Sequence, residues 1–351
     1  MNRLSNFEIV RIIAMCFVVI SHYAQHGLSQ ALNTNNAIFD FFAMYLHTFG
    51  QIGVALFVLL TGYFMIDKVF NIKHVFSIAL ETIIYSWSIL LILLIFLKDY
   101  VTPKMIYMSL LPISTNQYWF VTTYLILYIL IPLLNKLFNT LDKQTLSRYL
   151  CLLAVLWCIF PAIGFKIHFA ESYITTFIYL YFIGAYIKRY SIPFFEKKLQ
   201  ALITIFLSEL IMSAWVMICS IFKFYTDKWY MHLSYTHSIF IILIAISTFV
   251  LFKNIKIKNN VIINYFASSA FAVYLITENI CMRKIIWIKI FHCNYSQNIL
   301  YVIFNMLIAV LISYIICTCI DKIRIKLFGK WLINFVDLQY GKIYSIITKF
   351  I

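Results

Sequence analysis

An all-α bundle of about ten membrane-spanning helices is the fold this sequence predicts. Three observations predict it. The chain is 63% hydrophobic and only 12% charged, with a mean hydropathy of +0.90, far above a soluble domain. Its apolar runs are about twenty residues long, the length of a helix that crosses a bilayer. Eight Gly and five Pro leave little material for structured loops, and no stretch between the runs is long enough for a soluble catalytic domain. Any chemistry therefore happens within the membrane bundle.

The runs place spans near residues 7–24, 50–66, 76–97, 118–138, 149–165, 172–188, 200–222, 236–252, 264–281 and 298–320. The first follows a basic start, as a secretory signal does, but no small-x-small cleavage pattern follows it and it is read as a retained span. Residues 24–50 carry no Lys or Arg, and Asn33-Thr34-Asn35-Asn36 is turn material; Asp40, Phe41, Phe42 and His47 suggest a partly buried helix leading into span two. Most of the 28 Lys and Arg fall at the N-terminus, after the even-numbered spans and in the tail, which puts both termini in the cytoplasm. The loop after span nine fits worst, with Arg283, Lys284 and Lys289 on the outer side. The transmembrane domain is expected over residues 1–320. Residues 321–351 form a basic, mildly amphipathic cytoplasmic tail suited to the inner membrane surface.

A net charge of +15 would point to nucleic acid in a soluble protein, but here the cations are spread over short loops, where topology and anionic lipid explain them. Most cysteines sit in apolar runs as small hydrophobes. Cys281 and Cys293 flank one loop, and their pairing is disfavoured. Cys317-x-Cys319 points two thiols to different sides of a helix with no further ligand nearby, so no metal site is expected.

Within the first span, Glu8, Arg11 and His22 are groups that lipid would reject, which by default marks a functional helix. Arg11 and His22 lie almost three turns apart on one face, roughly 16 Å along the axis. A cation at one end can hold a phosphate and an imidazole at the other can act as a base, a spacing that suits an acyl-CoA. The plainer reading makes Arg11 a snorkelling anchor and His22 a polar end to the span.

Further stretches carry a resemblance. Span two reads Gly53-Val54-Ala55-Leu56-Phe57-Val58-Leu59-Leu60-Thr61-Gly62-Tyr63-Phe64. Span four has Tyr118-Trp119-Phe120, Tyr124, Tyr128, Pro132 and Asn135; later come Tyr181-Phe182-Ile183-Gly184-Ala185-Tyr186 and Ser269-Ala270-Phe271-Ala272-Val273-Tyr274-Leu275-Ile276. With the Arg11-x10-His22 pattern of the opening, these resemble the membrane-bound acyltransferase 3 family over nearly the whole chain, and the opening is most similar to that of Gram-positive members. Thr61 stands where the family usually has Ser, and Thr277-Glu278 follow a stretch that often continues with His.

The resemblance implies an integral-membrane O-acyltransferase of a bacterial cell membrane. It would move an acetyl group from cytoplasmic acetyl-CoA, a co-substrate and not a resident cofactor, to a cell-surface or lipid-linked saccharide. Such chemistry needs a base, an oxyanion stabiliser and a phosphate grip. His22 is the candidate base. Glu278, preferred over Glu81 and Glu209, could orient an imidazole or hydrogen-bond an acceptor sugar, where a protonated carboxyl would instead be structural glue. Arg11, steadied by Glu8 one turn earlier, with Lys68 and Lys73, forms the candidate CoA grip, the two lysines also fitting ordinary positive-inside anchors. Tyr63, Trp119 and Tyr124 are candidate substrate-binding aromatics, although aromatics make up 19% of the chain and each also suits core or lipid belt. A saccharide transporter or flippase, or a polysaccharide polymerase, is the alternative; most span interiors lack the Gly and Pro that break transporter helices.

Overall fold

The computed structural model describes residues 4–32, 36–164, 172–223 and 230–350, and among them there is no strand. Among the described residues, seven helices are long and apolar enough to cross a membrane. Helix α1 (Ser5–His22) runs on through a π turn, Tyr23–Gly27. It buries Phe7, Val10, Ala14 and Val18 along one stripe against α2 (Ala37–Met65). Asn36 caps α2, its side chain accepting from Phe39 N at 3.1 Å. About half of the segment expected as an outer loop, residues 37–50, is thus the first part of a 29-residue helix.

Helix α2 crosses α7 (Tyr173–Tyr190) at a pair of glycines. A Cβ on Gly62 would meet the backbone of Tyr181, and one on Gly184 would meet that of Leu59 and Tyr63. Small residues let two backbones approach where lipid supplies no hydrophobic drive. The contact is reinforced from α5 (Trp119–Thr140): Tyr181 Oη donates to Asn135 Oδ1 at 2.5 Å, and Asn135 Nδ2 donates to Met65 O at 3.0 Å. Asn135 of the span-four motif is therefore framework.

Around this centre stand α3 (Ile72–Phe96), α6 (Lys143–Ala154, prolonged by turns to Ala162), α8 (Lys198–Ile221) and α9 (Ile239–Asn254). Leu91, Ile95, Phe96, Phe206 and Leu210 are exposed on outer faces, the pattern of a protein whose solvent is lipid. A short helix not expected from the sequence, α4 (Pro103–Leu110), packs on α3, with Ser86 Oγ donating to Ser109 O at 2.9 Å.

Two expected elements differ. Span nine is broken into α10 (Val261–Ala267) and α11 (Ala270–Thr277), followed by a turn at Glu278. No Gly or Pro marks the break; Ser268 and Ser269 do, their N–H groups bonded to Asn264 O and Phe266 O, and Lys322 Nζ reaches Ser268 Oγ at 2.5 Å. Non-helical backbone at membrane depth is tolerated where protein satisfies it, as here. The last span does not stop near residue 320: α12 is continuous from Ile299 to Phe350, making the basic segment a prolongation of that span. Cys281 and Cys293 are unpaired with each other and buried, Cys281 Sγ lying 3.5 Å from Ser109 Oγ.

Candidate active site

A cavity of about 800 Å³ runs alongside α1, walled by α1, α2, α3, α5 and the α10–α11 break. Leu4, Glu8, Arg11 and Lys68 line one end and His22, Gln25 and His47 the other, with Met15, Val18, Val54 and Phe57 between them. Polar ends joined by an apolar middle match a long ligand carrying charge at one end and reacting at the other.

At the reactive end α1 meets the turn after α11. His22 Nε2 lies 3.1 Å from Glu278 Oε2, and His26 Nε2 lies 2.9 Å from the same oxygen. Arg283 Nη2 pairs with the other oxygen, Oε1, while Arg283 Nε donates to Glu278 O at 3.0 Å. Glu278 is only 5% exposed, so two imidazoles and a guanidinium share a desolvated carboxylate. Behind it, Asn279 Nδ2 donates to Tyr118 Oη at 2.8 Å, and Tyr118 Oη donates to Leu275 O at 3.0 Å, fixing the turn that presents Glu278.

The two nitrogens of His22 have different partners. Nε2 faces the Glu278 carboxylate, which can only accept. Nδ1 lies 3.1 Å from Thr277 Oγ1, whose single hydrogen has a second acceptor, Val273 O, at 2.8 Å. A bare Nδ1 can accept from Thr277, and an Nδ1–H can donate to it while the Thr277 hydrogen turns to Val273. The hydroxyl at 277 thus accommodates both protonation states of Nδ1.

At the other end Arg11 Nη1 and Glu8 Oε1 are 2.5 Å apart; the Arg11 side chain is 35% exposed, against 5% for Glu8. The guanidinium is anchored on one edge and open to the cavity on another. Lys68 lies at this mouth. Lys73 points elsewhere, pairing with Asp337 of α12 at 2.7 Å. Trp119 and Tyr124 line the cavity, Trp119 packed 4.2 Å from the Tyr173 ring and the Tyr124 hydroxyl 3.4 Å from Thr61 Oγ1. Tyr63 is packed between Phe7 and Phe249, beneath the Lys188 ammonium, and is not among the cavity-lining residues. Glu81 lines the cavity paired with Arg324 at 2.8 Å, and Glu209 bonds Tyr45 at 2.7 Å on another face.

A family model described as an acyltransferase domain matches residues 4–318. The chain belongs to this acyltransferase family. Searches of curated proteins and of solved structures each found no match. The protein is a membrane acyltransferase, with the matched region running from the start of α1 into the first half of α12.

Sequence reasoning did not single out His26 and Arg283. The signal for His26 is its i, i+4 spacing from His22, which the π turn preserves within reach of one carboxylate. Arg283 counted as an ill-placed loop cation; its partnership with Glu278 explains its position better than topology does.

Proposed function

We propose that this acyltransferase moves an acetyl group from acetyl-CoA, admitted at the cytoplasmic mouth, to a hydroxyl of a cell-surface or lipid-linked saccharide in a bacterial cell membrane. The observation that carries the reading is the single cavity joining the Arg11 end to a carboxylate-held imidazole at His22. The two lie eleven residues apart on α1, roughly 16 Å.

In this reading Arg11 and Lys68 bind CoA phosphate, and Glu8 orients the guanidinium. The apolar middle of the cavity takes the pantetheine arm. Trp119 and Tyr124 line the wall of the cavity between its ends. His22 removes the proton of the acceptor hydroxyl as its oxygen attacks the thioester carbonyl. Glu278 stabilises the imidazolium that forms, as a carboxylate does for a histidine base in acyl transfer. The carbon–sulfur bond then breaks, and the imidazolium returns its proton to the departing thiolate. The products are the acyl ester and CoA.

A saccharide transporter or flippase, or a polymerase, remains the second reading, favoured by the broken α10–α11 segment, a device transporters use. Transport alone requires no carboxylate-held base and consumes no thioester. Comparing the O-acetyl content of surface glycans by NMR with and without the protein separates the readings. Loss of O-acetyl signals with unchanged glycan quantity is expected. Unchanged O-acetylation with loss of the glycan itself would favour transport or polymerisation.

A further inference from the structure

Next to the His22 end of the main cavity lies a second, smaller one of about 180 Å³. Gln25 and His47 line both, so the two chambers share a wall. Gln25 is exposed and stands just beyond His22, and Ser29, also exposed, follows one turn later. Ser21, the residue before His22, donates from Oγ to His47 O at 2.8 Å, tying that wall to α2 beside the base. On the inner side the His47 ring, through Nδ1, is hydrogen-bonded to Tyr230 Oη at 2.9 Å; both residues are buried. Leu32 and Ala43 complete the lining with apolar surface.

The chemistry differs from that of the main cavity. At its Arg11 end the large cavity presents an acid, a guanidinium and an ammonium. Among the described residues the small chamber presents an amide, an imidazole, a phenol and a hydroxyl over an apolar floor, with no acid, Lys or Arg. Uncharged donors and acceptors around apolar surface recognise a neutral ring bearing hydroxyls, and leave a phosphate without a counter-charge. The volume takes one sugar ring and not a chain.

We propose that this outer chamber, formed by Gln25, Ser29, His47 and Tyr230, is the acceptor subsite, holding one neutral pyranose with a hydroxyl directed through the shared wall toward His22. The proposal rests on the acyl-transfer reading for its purpose and on the chamber alone for its binding. A lipid-linked acceptor would then keep its phosphate outside the chamber, presenting only its sugar.

Saturation-transfer NMR on the full chain in lipid nanodiscs tests this with methyl β-glucopyranoside, methyl β-galactopyranoside and methyl N-acetyl-β-glucosaminide, and with glucose 6-phosphate as the charged comparator. Ring protons of at least one neutral glycoside should receive saturation, and glucose 6-phosphate should receive at least fivefold less. Ser29→Trp, at the exposed rim, should cut the glycoside signal at least fivefold while leaving saturation of acetyl-CoA unchanged; Tyr230→Phe should weaken glycoside binding about tenfold. No saturation of any neutral glycoside, or a signal undiminished in Ser29→Trp, overturns the subsite. CoA release from acetyl-CoA is read in the same preparation. Glycoside binding without CoA release removes the acyl-transfer reading and leaves the chamber standing, whereas CoA release without glycoside binding does the reverse.

Discussion

Replacing Glu278 by Gln should nearly silence the protein while leaving it folded. The substitution keeps the shape and one acceptor oxygen but removes the charge that His22, His26 and Arg283 share. Without the carboxylate the imidazolium formed as the acceptor loses its proton has no adjacent anion. Positioned acid–base groups contribute about 10²- to 10⁴-fold, which at about 1.4 kcal/mol per decade is roughly 3–5.5 kcal/mol of transition-state stabilisation. The interaction grows as His22 gains charge, so the loss should fall on kcat, with little change in the KM for acetyl-CoA. Gln is preferred to Ala because Ala would leave three donors, the His22 ring buried among them, facing a void, a folding penalty that would confuse the reading. The assay is CoA release by a thiol reagent, using purified protein in nanodiscs at matched abundance. A kcat within threefold of wild type, or a loss appearing only in KM, would refute Glu278 as the partner of the base.

Other perturbations follow from separate parts of the structure. Arg11→Gln should raise the KM for acetyl-CoA about ten- to a hundredfold while sparing that for the acceptor, because a charge-assisted contact is worth roughly 1.5–3 kcal/mol; an unchanged acyl-CoA dependence leaves Arg11 as an anchor. Lys73→Gln should leave that KM unaltered, since Lys73 is paired with Asp337 away from the cavity; a rise comparable to that of Arg11→Gln would contradict its placement. Gly62→Ala should destabilise the α2–α7 crossing by about 1–3 kcal/mol, because the added methyl meets Tyr181 backbone atoms, and the melting temperature in detergent should fall. Epitope tags at both termini should be protected inside intact cells and one inserted at residues 33–35 accessible outside; termini on opposite sides would overturn the orientation drawn from Lys and Arg.

The bundle was legible because lipid imposes one rule on every span: twenty apolar residues and few charges. Arg11 and His22 were legible for the same reason, since ionisable groups stand out against such a background. What could not be read was the third dimension. Ser268-Ser269 carries no conventional breaker, and the Lys322 that reaches Ser268 comes from α12, distant in the chain. His26 sits just past a span, where a histidine looks like ordinary surface until Glu278 is brought beside it. Tyr63 and Asn135, both in motif stretches, point away from the cavity or into the framework, because a motif records that a position matters and not which way its side chain faces.

The central claim is that His22 is the base of a thioester-consuming transfer. It is tested most directly by CoA release from acetyl-CoA on purified wild type and His22→Ala, in nanodiscs, with a glycan acceptor extracted from the source membrane. The account predicts release by wild type, accompanied by O-acetyl ester on the acceptor, and no release above background for His22→Ala at equal abundance. Near-normal ester formation by His22→Ala would contradict it.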